Sequence, residues 1–196
     1  CGDARVDMQH VRSGTLRDKE WIKLAQTVNP LSNEKVYIDD TAGLTPMQMR
    51  SRVRRIMLEK GLDLVIIDYL QLMGADGKSE NRQQEVSEIS RRLKAIALEL
   101  KIPILACAQL SRANTQRTVK RPMLSDLRDS GSIEQDADVV MFLHREAYYD
   151  QTSEETNTAE VIIAKQRNGP LGTVKLNWLS EFTLFEDMYT DDAVET

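Results

Sequence analysis

Two polar residues stand directly after apolar segments that predict buried strands. Asp68 follows Leu62–Ile67, and Gln109 follows Ile102–Ala108. Ligands of open α/β sheets bind at the carboxyl ends of the strands. There a carboxylate can hold Mg²⁺ through its bound water, and an amide can sense a phosphate or an attacking water molecule. A strand-ending Asp is also a common turn or capping residue, and Gln109 can be an ordinary polar loop residue.

A pair of cations precedes a turn signal in the C-terminal part of the sequence. Lys165 and Arg167 flank Gln166, and the turn dipeptide Asn168-Gly169 follows. The strand period of two places Lys165 and Arg167 on one face, with Gln166 opposite. Two cations at a strand end can reach a phosphate on an adjacent subunit, as a trans arginine finger does during phosphoryl transfer. A solvated hairpin end is the alternative interpretation.

A polar loop that contains Arg128 and Gly131 lies between apolar segments and is expected to be exposed. Gly131 permits close approach of the backbone, and the amides of Ser130–Ser132 can donate to phosphates alongside Arg128. The loop has no aromatic residue, so stacking on nucleic-acid bases is not its main interaction. The pattern favours tracking of a phosphate backbone without sequence preference, and a plain Ser/Gly loop is the alternative.

An alternation of strands and helices must position these residues. Helices are predicted over 18–29, from Thr45 onward and along Val86–Leu100, where apolar residues recur at spacings of three and four. Strands are predicted at Val36–Ile38, Leu62–Ile67, Ile102–Ala108, Val139–Leu143, Glu160–Ala164, Thr173–Trp178 and Phe182–Phe185. Continuous apolar strands are typical of a parallel sheet covered by helices, whereas the last strands form hairpins. The fold class is α/β, with a mostly parallel sheet and antiparallel hairpin strands at its C-terminal edge.

The helix that begins near Thr45 has clear terminal signals and an unusual surface. Thr45 is the predicted N-cap, Pro46 occupies the first turn and Gln48 closes a capping box. Four arginines crowd its polar surface: Arg50, Arg52, Arg54 and Arg55. A solvated helix face is the favoured interpretation of this cluster, with nucleic acid or a neighbouring subunit as the alternative.

Trp21, Leu24 and Val28 recur at spacings of three and four, which makes the first predicted helix amphipathic. Cys107 lies inside an apolar strand, where a buried and reduced thiol is expected. Because Cys1 and Cys107 are the only cysteines, no disulfide framework is predicted, and a reducing cytosol fits best.

The composition indicates one folded domain. The 196 residues are 41% hydrophobic, which is enough for one sizeable core. The net charge of -5 argues against a generally basic nucleic-acid-binding surface, although local loops can still bind nucleic acid. The sequence lacks any apolar run as long as the roughly 18 residues that a membrane-spanning helix needs, so no membrane partner is predicted.

Five segments together resemble the bacterial DnaB family of replicative DNA helicases, and they occur in the order found in that family. They are Ile66–Leu72, Asn81–Val86, Gln109–Arg112, Leu127–Asp138 and Lys165–Pro170. The resemblance extends from Cys1 to about residue 189, and the combination is far more specific than any single motif. It implies the RecA-like motor domain of an ATP-dependent helicase, which forms a homohexameric ring and translocates on single-stranded DNA.

The resemblance also implies roles for the nucleotide-site residues. Asp68 would be the Walker B carboxylate, which holds Mg²⁺ through water, and Gln109 would sense the γ-phosphate. Lys165, Gln166 and Arg167 would contact the ATP of the neighbouring subunit in trans, with Arg167 acting in catalysis.

Further roles implied by the resemblance concern DNA and protein partners. Arg128, Asp129 and Gly131 would lie in the loop that grips the DNA backbone. Asp129 stands where the family has Glu, a small change that should keep the acceptor geometry. The family further implies a primosome in the cytoplasm, with primase and a helicase loader as partners.

The sequence lacks the phosphate-binding motif Gly-x-x-x-x-Gly-Lys-[Ser/Thr], and the resemblance places the family's catalytic Glu before Cys1. We therefore expect an N-terminally incomplete motor domain over residues 1–188 and an acidic flexible tail over 189–196. The chain alone is expected neither to hydrolyse ATP nor to unwind DNA. Two alternatives remain open, namely the core of a RecA-like recombinase or clock-type ATPase, and a non-catalytic scaffold that keeps the fold.

Overall fold

The structure, a computed structural model, describes residues 1–76, 81–111, 117, 119–130, 132–150 and 155–188, with only the backbone described at 128–130. The helices are α1 Met8–Ser13, α2 Asp18–Asn33, α3 Pro46–Lys60, α4 Arg82–Leu100, α5 Ile133–Asp136 and α6 Glu146–Tyr149. The strands are β1 Val65–Ile67, β2 Ile104–Ala106, β3 Val139–His144, β4 Thr158–Gln166, β5 Gly172–Leu179 and β6 Leu184–Asp187. In the described part of the chain, 3-10 helices span Leu70–Leu72 and Leu124–Ser130.

The chain divides into two compact units. The first, called the parallel unit here, comprises Asp39–Val140 and Ala164–Leu171. The second, the hairpin unit, comprises Cys1–Ile38, Met141–Ile163 and the residues from Gly172 onward. Within the described ranges, no helix is both long enough and apolar enough to cross a lipid bilayer.

The parallel unit is built on β1 and β2. These strands pair in parallel, with Val65 opposite Ile104 and Ile67 opposite Ala106. Helix α4 contributes four buried apolar residues to this unit, at the spacings of three and four that were predicted. Its buried apolar residues are Val86, Ile89, Leu93 and Ile96.

The predicted start of α3 is confirmed. Thr45 Oγ1 accepts from the Gln48 amide at 3.4 Å, and Gln48 Oε1 accepts from the Thr45 amide at 3.0 Å. Pro46 lies at the first helical position and is buried. These contacts satisfy backbone donors that the first helical turn leaves unpaired, so this boundary is set by neighbours in sequence.

The arginine surface of α3 is paired with carboxylates of the same unit. Arg50 forms two hydrogen bonds with the Glu99 carboxylate, at 2.5 and 2.8 Å. Arg52 bonds Asp39, and it also donates to the Thr41 hydroxyl at 2.8 Å. These pairs favour the solvated-face interpretation of the cluster over a nucleic-acid-binding one.

The hairpin unit contains the antiparallel strands predicted for the C-terminal part of the chain. Strands β4 and β5 pair from Thr158 opposite Asn177 to Ile163 opposite Gly172. Strand β6 pairs with β5, and the rings of Trp178 and its cross-strand partner Phe185 lie 4.5 Å apart. The strand order of this four-stranded sheet is β3-β4-β5-β6.

One sequence prediction about the hairpin unit's N-terminal segment needs correction. Val36–Ile38 does not form a strand, and the Ile38 side chain is 90% exposed. The three residues favour a strand locally, but a strand forms only where a neighbouring strand pairs with it. Helix α2 forms as predicted, but Trp21 and Val28 on its apolar stripe are exposed by 60% and 58%. Periodicity thus predicted the helix but not its burial.

The prediction of a buried Cys107 thiol is also wrong. Cys107 is exposed. It follows β2, where alternation places it on the same face as Leu105. Leu105 and its partner on β1, Ile66, are exposed as well. The described residues therefore cover this face of the strand pair incompletely.

Candidate functional site

The parallel pairing of β1 and β2 brings Asp68 and Gln109 to the same edge of the sheet. Asp68 immediately follows β1, and Gln109 follows β2 by three residues. Backbone hydrogen bonds extend the ladder past the strand ends, since the Cys107 amide donates to the Ile67 carbonyl at 2.9 Å. The amide of Leu70 then donates to the Cys107 carbonyl, also at 2.9 Å. Both Asp68 and Gln109 are exposed at this edge, where ligands of α/β sheets bind.

Lys165 and Arg167 both contact the segment formed by α5 and the two residues after it. The Lys165 ammonium donates to the Ala137 carbonyl at 2.7 Å and also to the carbonyls of Glu134 and Gln135. Arg167 donates to the Gln135 carbonyl at 3.3 Å. Lys165 thus binds the carbonyls at the C-terminal end of α5, where a cation is favourable because these oxygens lack helical partners.

Asp138 is a member of this cluster that the sequence reasoning did not select. Its carboxylate accepts from the Lys94 ammonium and lies 3.4 Å from Arg167 Nε. The hydrogen bond from Lys94 lowers the pKa of Asp138 below its ordinary value, and the charges of Arg167 and Lys165 add to this effect. Asp138 therefore stays ionised and holds Arg167. The available signal was the position of Asp138 one residue before an apolar strand, which is too common to single it out.

The predicted turn after β4 is confirmed, and Gln166 lies against it. Strand β4 ends at Gln166, and the chain turns at residues 167–169 before β5 begins at Gly172. A Cβ atom added at Gly169 would overlap with Gln166 Nε2. The Gln166 amide is therefore packed over the turn, whereas Lys165 and Arg167 contact the α5 segment.

The predicted DNA-contacting residues lie in or beside the 3-10 helix Leu124–Ser130. The backbone of Arg128 and Asp129 belongs to this helix, while their side chains and the whole of Gly131 lie outside the described residues. The predicted tail, 189–196, lies outside them too. For these residues, the structure gives the location of the segment and no contacts.

The segment that contains Arg128 is fixed at both of its ends. On the N-terminal side, Asp126 is buried and accepts from the Met123 amide at 2.9 Å and from Arg117 at 2.6 Å. The Asp126 carbonyl accepts from the Ser111 amide at 3.0 Å, two residues after Gln109. On the C-terminal side, the Ser132 hydroxyl donates to the Ser87 carbonyl of α4 at 3.1 Å. The candidate DNA segment is thereby joined to the segment of the candidate phosphate sensor.

The contacts described for this chain do not join the cation pair to the β1–β2 edge. Among the described residues, Lys165 and Arg167 bond the α5 segment, and none of their hydrogen bonds or ion pairs reaches Asp68 or Gln109.

The DnaB-like helicase C-terminal domain family matches residues 1–187. The chain belongs to this family. It is 51% identical to the replicative DNA helicase DnaC of Bacillus subtilis over 196 residues, covering 98% of this chain and 43% of that protein. It is also 51% identical to the replicative DNA helicase DnaB of Geobacillus stearothermophilus over 189 residues, covering 96% of this chain and 42% of that protein.

Solved structures show the same relationship for the DnaB-like domain. One of them, an isolated ATPase domain, superposes with a TM-score of 0.90 at 40% identity, covering 96% of this chain and 68% of that one. A DnaB-like replicative helicase, solved for its interactions with primase, also gives a TM-score of 0.90 at 40% identity, covering 96% of this chain and 46% of that one. The predicted family and the RecA-like fold class are confirmed. The DnaB-like chain spans less than half the length of the two bacterial helicases.

Proposed function

We propose that this DnaB-like domain forms part of the ATP-driven motor of a bacterial replicative DNA helicase. The observation that supports the proposal most directly is the position of Asp68 and Gln109 at one edge of the parallel pair β1–β2. A nucleotide bound there would meet a carboxylate and an amide at once. In the whole protein, ATP hydrolysis between subunits of a homohexameric ring would drive translocation on single-stranded DNA and unwinding of the duplex.

Asp68 suits a role in holding Mg²⁺ through water. It is an exposed oxygen ligand at the carboxyl end of a strand, and Mg²⁺ keeps several of its waters when proteins bind it. The described residues include no cluster of three or more His, Cys, Asp or Glu side chains that could hold a metal directly. Water-mediated binding at a single carboxylate is compatible with that surface. Bound Mg²⁺ would neutralise charge on the phosphates of ATP.

Gln109 and the cation pair would act on opposite sides of an intersubunit nucleotide. Gln109 would hydrogen-bond the γ-phosphate or the attacking water, since an amide both donates and accepts. Arg167 of the neighbouring subunit would stabilise the charge that develops during phosphoryl transfer. Its guanidinium is about half exposed, and five N–H donors exceed what Asp138 and Gln135 require. Lys165 and Gln166 would complete the trans contacts.

The DNA contacts are assigned to Arg128, Asp129 and Gly131. Arg128 and the backbone around Gly131 would bind phosphates of single-stranded DNA without reading the bases. Attachment of this segment to the residues after Gln109 gives a physical route by which hydrolysis could move the DNA. Primase and a helicase loader would be partners of the whole protein in the cytoplasm, and a related helicase has been solved for its interactions with primase.

The 196 residues alone should be inactive, because they lack the motif whose amides and lysine cradle the β- and γ-phosphates. Purified chain should show no ATP turnover above background, with or without single-stranded DNA. Turnover by the chain would overturn this part of the proposal. A full-length protein without ATPase activity would instead favour the non-catalytic scaffold.

The trans arrangement can be tested with mixed rings of the full-length protein. Asp68→Asn and Arg167→Ala variants should each bind ATP and fail to hydrolyse it. In rings assembled from equal amounts of the two, about one quarter of the interfaces would combine an intact Asp68 with an intact Arg167 from its neighbour. Hydrolysis should therefore reappear on mixing. No recovery despite demonstrated subunit exchange, or loss of ATP binding in the Arg167→Ala protein, would refute the trans role.

A further inference from the structure

The hydrogen-bond ladder between β1 and β2 continues past both strands and then stops. After Ile67, the last backbone rung is the bond from the Leu70 amide to the Cys107 carbonyl, at 2.9 Å. From that point the segment after β1 enters the 3-10 helix Leu70–Leu72, in which the Leu72 amide donates to the Tyr69 carbonyl. The backbone of this segment is then no longer available to the segment after β2. Gln109, two residues beyond Cys107, therefore lacks a ladder partner from the backbone of this segment.

The side chain of Gln71 takes the place of the missing rung. Its Nε2 donates to the Gln109 carbonyl at 3.4 Å, and its Oε1 accepts from the Gln109 amide at 3.3 Å. A carboxamide presents one donor and one acceptor side by side, as a peptide unit does. The amide of Gln71 therefore binds both backbone groups of Gln109 at once and restricts its backbone.

Gln71 is itself held by a residue of α4. Its backbone carbonyl accepts from Arg82 at the start of α4, and Arg82 also pairs with Glu85 one turn later. The preceding residue, Leu70, is only 3% exposed. Gln109, in contrast, has an exposed side chain. Gln71 is therefore the better anchored of the two residues, and it restrains the backbone of Gln109.

We propose that Gln71 is a positioning residue for Gln109, an inference that rests on the proposed function of Gln109 as phosphate sensor. Gln71 does not contact the nucleotide. It fixes the backbone of Gln109 so that the Gln109 side chain projects at the edge that also presents Asp68. Leucine cannot do the same because it lacks both polar groups, and an ionised glutamate cannot because it lacks the donor.

The first test measures ATP hydrolysis by the full-length protein. Gln71→Leu should lower kcat by about 10- to 100-fold, the effect expected when a catalytic group is displaced by about 1 Å. KM for ATP should change by no more than about twofold, because binding in the ground state is retained. The melting temperature should stay within a few degrees of the parent's. The matched control is Gln26→Leu on the exposed surface of α2, which should leave kcat unchanged.

A double-mutant cycle separates positioning from a general structural effect. In a Gln109→Ala background, the added Gln71→Leu change should lower kcat no further, because its effect passes through the absent Gln109 side chain. Multiplicative losses would overturn the proposal. A Gln109→Ala protein with parental kcat would instead refute the sensor role of Gln109 and hence the proposed function. A lowered kcat in Gln109→Ala together with a parental kcat in Gln71→Leu would refute only the inference about Gln71.

The pH profile of Gln71→Glu gives a second readout. The ionised glutamate cannot donate to the Gln109 carbonyl, whereas the protonated form again offers a donor and an acceptor. The ratio of variant kcat to parent kcat should therefore rise as the pH is lowered from about 8 to about 5.5, towards the range in which a carboxyl group beside a carbonyl protonates. A ratio that stays constant over this range would overturn the proposal.

Discussion

Replacing Asp126 with alanine should loosen the segment that contains Arg128. The Asp126 side chain is 4% exposed and accepts from the Met123 amide at 2.9 Å and from the Arg117 guanidinium at 2.6 Å. In the variant the Met123 amide loses its acceptor, and Arg117 keeps its bond to the Arg121 carbonyl at 3.3 Å. Because Met123 and Asp126 bracket the start of the 3-10 helix Leu124–Ser130, the loss should act on local opening of this helix before it affects global unfolding.

The size of the effect follows from these two contacts. Both bonds end on the Asp126 carboxylate, and a hydrogen bond to a charged group contributes about 1.5–3 kcal/mol. Arg117 is 30% exposed and can regain water, so most of the loss comes from the Met123 amide. The sum is about 2–3 kcal/mol, which corresponds to roughly 30- to 150-fold more frequent opening. Asp126→Asn keeps an acceptor for the Met123 amide and should cost about half as much free energy.

Hydrogen exchange followed by mass spectrometry measures this opening in the full-length protein. Amides of residues 119–130 should exchange faster by the factor above in Asp126→Ala and by about tenfold in Asp126→Asn. Peptides from β4 and β5 serve as the internal reference and should keep their parental rates. Exchange of residues 119–130 within about threefold of the parent in Asp126→Ala would show that the carboxylate does not hold this segment.

Three further outcomes follow from the described residues. Arg128→Ala in the full-length protein should weaken single-stranded DNA binding, and the slope of log affinity against log salt should become shallower by about one unit. Titrations at several salt concentrations measure this slope. An unchanged slope would count against a phosphate contact. Ile89→Ala removes a side chain that is 1% exposed in the core of the parallel unit. The free energy of unfolding, measured by urea titration, should fall by about 2–5 kcal/mol. A loss under about 1 kcal/mol would contradict this packing. The hydrogen bond from Arg52 lowers the pKa of Asp39 to about 2, and hydrogen bonds from Thr41 add to this effect. The pair therefore stabilises the fold fully at pH values above 3.8, the ordinary pKa of the carboxyl group. This stabilisation is lost as the pH falls towards 2. In Arg52→Leu, NMR titration should find that the pKa of Asp39 has risen towards 3.8. A pKa that stays near 2 in this variant would exclude the pairing.

The sequence alone predicted the features that depend on residues close to one another along the chain. The capping box of Thr45 and Gln48 forms within one helical turn, and the turn after Gln166 follows from Asn168-Gly169. The order of the DnaB-like segments predicted the family. Parallel pairing of the strands that precede Asp68 and Gln109 also followed, because continuous apolar strands need cover on both faces.

Burial and long-range pairing were decided by the tertiary structure. The thiol of Cys107 is exposed, although its position in an apolar strand predicted burial, and the apolar stripe of the amphipathic helix α2 is exposed at Trp21. Periodicity records which residues share a face, but whether that face meets another element depends on residues distant in sequence.

The contacts around the candidate site show the same distinction. Nothing near Lys165 in sequence indicates that its ammonium binds carbonyls at the end of α5, 28 to 31 residues earlier. Likewise, Gln71 and Gln109 are 38 residues apart and meet only because two parallel strands end side by side. The sequence by itself therefore determined which residue types could do chemistry and which local elements hold them. Only the fold decided which of these residues bind one another, because such contacts form when distant segments pack together.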